Sequence, residues 1–130
     1  MSDELWTFER LAPGAKFGPV EVPLNGERVE GWQGVYGPVA GDHAPDGLIV
    51  AGMMEAYIRA IQPRPKGNVH AAQKLSFTGQ RARLGETVTY TVEVLSKEQK
   101  KGRNWIVFAI AASAGGTPLL RGEVTAIWAA

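Results

Sequence analysis

Leu48-Ile49-Val50-Ala51-Gly52-Met53-Met54-Glu55-Ala56-Tyr57-Ile58-Arg59-Ala60-Ile61 is the stretch whose reading decides the fold. Large apolar side chains recur along it with small alanines between them. Its only charges are Glu55 and Arg59, at i,i+4. That pattern predicts a helix over 48–61 that is apolar nearly all round and therefore buried on most faces. Pro63 and Pro65 end it, because proline cannot donate to the helical ladder. The longest apolar run within it, Leu48–Met54, stops at Glu55, far short of the roughly 20 residues a membrane span needs.

Downstream, the period changes from helical to two. In Glu86–Leu95, Val88, Tyr90, Val92 and Val94 alternate with Thr87, Thr89, Thr91 and Glu93, the signature of a half-buried strand. Lys97–Arg103 reads as a charged hairpin tip and Trp105–Ala112 as a continuous apolar strand. Gly115-Gly116 reads as a turn and Leu119–Trp128 as the last strand. Val69–Phe77 precedes them as a further strand.

Upstream, residues 1–47 carry Pro13, Pro19, Pro23, Pro38 and Pro45 among many glycines. That density predicts short strands and turns with no long helix, Phe17–Leu24 being the best strand candidate. Strands gathered around one segregated helix indicate an α+β class. One helix is sheathed by five or six strands only if the antiparallel sheet curls around it.

The 130 residues fit a single domain, 1–130, large enough to bury roughly two thirds of its unfolded surface. Fourteen Lys+Arg against 13 Asp+Glu leave a net charge of +1, which makes no electrostatic case for nucleic acid. Zero cysteines exclude disulfides, thiolate metal sites and a cysteine nucleophile. The acidic start, Met1-Ser2-Asp3-Glu4, lacks the basic region of a secretory signal, so the expectation is a cytoplasmic protein away from membranes.

Three segments carry a family resemblance. Gly41-Asp42-His43-Ala44-Pro45 followed by Leu48–Met54 resembles the MaoC-like hydratase/dehydratase pattern G-D-x-N-P-I-H followed by P-I-V-H-G-M-L. Leu75-Ser76-Phe77 with Leu84-Gly85-Glu86-Thr87-Val88 is similar to that family's F-x-x-P-x-x-x-G-D-T-V. Thr7–Leu11 with Pro13-Gly14 and Phe17 resembles its opening. The resemblance implies a single hot-dog domain, a curled sheet around one central helix at about 48–61. It also implies a homodimer or higher homo-oligomer acting on an acyl-CoA or acyl carrier protein thioester, without a cofactor. The family's catalytic His, five residues after its Asp, has no counterpart: position 47 is Gly, and the segment that usually follows is largely deleted.

Four residues are candidates for chemistry. Asp42 and His43 stand in a Gly/Pro-framed loop, where a carboxylate beside an imidazole suits acid–base work or simply caps a turn. Gly52, read at the N-terminal end of the helix, is a candidate oxyanion donor through its N–H, or a packing glycine. Glu55 is either a buried general base or half of an ion pair with Arg59. Arg81, Arg83, Lys101 and Arg103, on loops, are candidates for the phosphates of a CoA or pantetheine carrier, or solvated turns. His43 and isolated His70 match no metal-ligand spacing, so no metal is expected, and no G-x-S-x-G elbow is present.

These readings converge on acyl-thioester processing, with hydration/dehydration at the α,β bond leading. The alternatives are an acyl-CoA thioesterase, which would use Glu55 or Asp42 to activate water, and a non-catalytic acyl-binding module.

Overall fold

The computed structural model describes residues 4–130; the acidic start at Met1–Asp3 lies outside it. The elements are β1 (Lys16–Pro23), α1 (Gly26–Tyr36), α2 (Asp46–Ala60), β2 (Val69–Phe77), β3 (Thr87–Lys100), β4 (Arg103–Ala114) and β5 (Thr117–Trp128). The strands form one sheet in the order β1-β3-β4-β5-β2, with every neighbouring pair antiparallel.

The sheet curls because its inward residues all reach one helix. Val88, Tyr90, Val92 and Val94 on β3, Ile106, Phe108 and Ile110 on β4, and Val124, Ala126 and Trp128 on β5 alternate inward and are almost wholly buried. They enclose Leu48, Ile49, Met53, Ala56 and Tyr57 of α2, and all of these join one core. Each large side chain hidden this way contributes about 1.5–3 kcal/mol. Tyr57 meets Phe108 edge-on, and Phe108 in turn meets Trp128. Gly122 on β5 lets the helix approach, since a Cβ there would run into the Met53 sulfur. No helix among the described residues is long and apolar enough to cross a membrane.

The helix predicted over 48–61 is α2, begun two residues earlier at Asp46. It is not covered all round: Ala51 and Ile58 are exposed and Met54 half-buried, a strip that the sheet leaves open. The hairpin tip shrinks to Lys101-Gly102, because β3 and β4 pair out to Lys100↔Arg103. β4 takes the middle of the sheet. The glycine- and proline-rich start does hold a helix, contrary to expectation. Asn25 caps α1 by accepting from the Arg28 N–H at 2.9 Å, and Glu27 sits in its first turn. Gly31 and Gly34 each disfavour that helix by about 1 kcal/mol relative to alanine.

Candidate functional site

A sharp turn at Gly41, whose φ of 72° suits glycine, delivers Asp42 and His43 just before α2. The His43 backbone bridges to Arg83, and the Leu84 N–H donates to the Asp42 carbonyl at 2.8 Å. The turn is thus stitched to the loop leading into β3. The side chains of the two residues meet: His43 Nδ1 lies 3.1 Å from Asp42 Oδ1. Both are open to solvent, Asp42 at 74% and His43 at 43% of side-chain exposure. A carboxylate this close to Nδ1 is placed to favour the tautomer that leaves Nε2 free to accept a proton.

Next to this pair α2 begins. Its N-cap is Pro45, which offers no side-chain hydrogen bond, and among the described residues no side chain accepts from the N–H groups of Asp46 and Gly47. A cleft of about 430 Å³ opens here, lined by Pro45, Asp46, Phe77, Gly79, Gln80 and Arg81. The Arg81 guanidinium donates to the Ala44 carbonyl at 3.2 Å, which fixes it on the rim.

Gly52 is not at the helix end. It is the seventh residue of α2, where the N–H belongs to the helical ladder. It is buried against β3: a Cβ there would run into the Tyr90 hydroxyl. The uncapped N–H groups lie instead at Asp46 and Gly47.

Glu55 is held by arginines on two elements. Arg28 of α1 reaches it with bonds of 3.1 and 3.2 Å, and Arg59 one turn on with a bond of 3.2 Å. Partial burial pushes its carboxyl up, but the two guanidiniums outweigh that and leave it below the usual carboxylate range. A general base needs the opposite shift.

The four candidate phosphate-binding cations fall into two groups. Arg81 lines the cleft and Arg83 bridges to the His43 backbone, whereas Lys101 and Arg103 lie beyond the far end of β3. That strand spans on the order of 40 Å, so one chain does not bring all four to one ligand. His70 is on β2 and lines a separate recess of about 150 Å³ with Met54, Tyr57, Ile58, Arg64 and Val69.

Three residues with a part in the site escaped sequence reading. Arg28 and Trp32 sit on α1, for which Asn25 followed by Glu27 was the one available signal. Trp32 lies directly on Gly47, so that a Cβ at 47 would run into its indole ring. Position 47 is the one five residues after Asp42. Tyr90 announced itself only as a strand residue, and its hydroxyl bond to α2 is a tertiary contact.

No family model matches the chain, and no curated protein does. Solved structures do. The unliganded R-hydratase PhaJ1 of Pseudomonas aeruginosa superimposes with a TM-score of 0.77 at 20% identity, over 94% of this chain and 84% of that one. A monoamine oxidase regulatory protein from Archaeoglobus gives 0.79 at 12%, over 98% and 97%. The fluoroacetyl-CoA thioesterase FlK gives 0.67 at 19%, over 89% and 86%. A further match is described as a hot-dog-like protein from Thermanaerovibrio acidaminovorans, with a TM-score of 0.69 at 16% identity, over 95% and 87%. What these likenesses share with the chain is the fold.

Proposed function

With the hot-dog fold as premise, we propose that this protein processes acyl thioesters carried on CoA or acyl carrier protein, by reversible hydration and dehydration of the α,β bond. The observation that carries the reading is the 3.1 Å contact between Asp42 and His43 beside the start of α2. Asp42 orients the imidazole. Nε2 takes a proton from water as its oxygen bonds to C3 of the enoyl thioester, and a proton is returned to C2; dehydration reverses both transfers. The thioester oxygen gains charge during addition. The uncapped N–H groups at Asp46 and Gly47, at the positive end of α2, are the donors suited to it. In this reading Arg81 and Arg83 receive carrier phosphates.

The working unit is a homodimer. Every residue of β2 is exposed, and Val69, Leu75 and Phe77 are 50%, 38% and 44% accessible on a sheet edge that has no neighbouring strand among the described residues. Beside it lies Ile58 of α2, at 48%. A bare apolar edge of this kind invites antiparallel pairing with its own copy about a two-fold axis.

A second reading is an acyl-binding module without turnover, and one observation favours it: Trp32 fills the space over Gly47. The thioesterase reading loses Glu55 as its base, since two arginines hold that carboxylate. Incubation with crotonyl-CoA and longer enoyl-CoAs separates the three. Loss of enoyl absorbance without thiol release, abolished by His43→Gln and Asp42→Asn, is the expected result. Thiol release indicates the thioesterase. Binding with neither signal indicates the module.

A further inference from the structure

We propose that α1 is a gate over the N-terminal half of α2, latched by Arg28 to Glu55, with Trp32 occupying the space at Gly47 that an acyl group takes when the gate opens. The occupant named here rests on the thioester reading; the gate itself does not.

Four observations lead to it. First, no residue of α1 is buried, and Val35 and Tyr36 are 74% and 68% exposed. Its packing is limited to Val29 and Trp32, which lie half-buried against the core, so little apolar contact holds it in place. Second, its own sequence is a weak helix former, with Gly31 and Gly34 inside and Gly37 just past its end at φ 88°. Third, besides the half-buried Val29, its attachments to the rest of the chain are few and specific. Arg28 grips Glu55 with two bonds, and Trp32, stacked on Tyr36 at 4.2 Å, lies on Gly47. Gln33 holds the departing chain by accepting from the Val39 N–H at 2.9 Å.

The fourth observation is what lies underneath. Gly47 and Ala51 open an apolar strip on the outer face of α2, beginning four residues after His43 and ending short of Met54 and Ile58, which lie beside β2 at the proposed dimer edge. With α1 in place, an indole ring covers the first residue of that strip. An indole is a flat apolar group, and its footprint on a glycine is one that an acyl chain can inherit. The latch is electrostatic and partly solvated, with side-chain exposures of 27% and 36%, so salt weakens it. Glu55 thereby acquires a positional role through α1, without touching the reacting atoms.

The test combines hydrogen exchange with acyl-CoA binding. In the wild type, amides of Gly26–Tyr36 should exchange well ahead of those in α2. Arg28→Ala should speed them by about threefold at low salt, as loss of one partly exposed ion pair allows. Added salt should raise the wild-type rate toward that of the variant. Trp32→Ala should raise affinity for dodecanoyl-CoA about tenfold relative to butyryl-CoA, because the space over Gly47 becomes free and joins the open surface at Ala51. Amides of α1 as slow as those of α2 in both proteins overturn the gate. An unchanged ratio between the two acyl-CoAs, where both bind, overturns the role of Trp32. If neither protein binds any acyl-CoA, the thioester reading falls, and the exchange rates alone decide whether α1 opens.

Discussion

The Tyr90 hydroxyl donates to the main-chain carbonyl of Ile49 across 2.7 Å, fastening the middle of β3 to the first half of α2. The ring is wholly buried, and burial pushes the phenol far above its ordinary pKa, so it stays a donor throughout the usable pH range. The phenol lies where Gly52 has no side chain. That glycine is therefore a contact surface for the sheet.

Gly52→Ala should lower stability by about 1–3 kcal/mol, since the added methyl meets the phenol in a filled core. In a Tyr90→Phe background the same change should cost less, because the atom it strikes is gone. Urea unfolding of the two single variants and the double variant measures the coupling. Additive costs would remove the contact from the account.

Glu55→Gln should cost at most about 1 kcal/mol, as its ion pairs are partly solvated, and should leave turnover within a few-fold of wild type. Its folded-state pKa is lowered, so its contribution is complete above the unfolded value of about 4.3 and is lost as pH falls through the folded value. Thermal melts from neutral to acid pH should show a shallower fall for the variant than for wild type. A loss of turnover by orders of magnitude with an unmoved melt would restore Glu55 as a base.

Gly47→His puts an imidazole at the position that the MaoC-like pattern uses. It should not raise the hydration rate above that of the wild type. The new side chain has to displace Trp32, at a cost of about 1–3 kcal/mol and with a red-shifted tryptophan emission as the indole meets water. A rise in hydration rate with unchanged emission would mean that the site has room after all.

Ile58→Glu should shift sedimentation from dimer to monomer at micromolar concentration. Ile58 is half exposed in the single chain, so the melting of the monomer should change by no more than about 0.5 kcal/mol. A dimer that persists would place the interface elsewhere than β2 and Ile58.

The parts of the molecule legible in the sequence are those with a strong local period. Val88, Tyr90, Val92 and Val94 declare an inward face by alternation alone, and Val69–Phe77 was read with the bounds the strand has. Leu48–Ile61 declares its helix by apolar density, although not the face of it left bare. The first half was legible in its strand and not in its helix. Gly31 and Gly34 within α1 hide a segment whose cap, Asn25, is a single residue.

By itself, then, the sequence determined the α+β class, the central helix, the strands and the Asp42–His43 neighbours, because stereochemistry acts between residues a few positions apart. Tertiary structure alone decided that β2 crosses to pair with β5, so that an apolar edge stays open. It also decided that Gly52 faces Tyr90, that Trp32 covers Gly47, and that Arg28, 27 residues away, neutralises Glu55. Those are contacts between distant segments. Their partners are chosen by which surfaces the curled sheet brings together, and no local pattern in the chain records that choice.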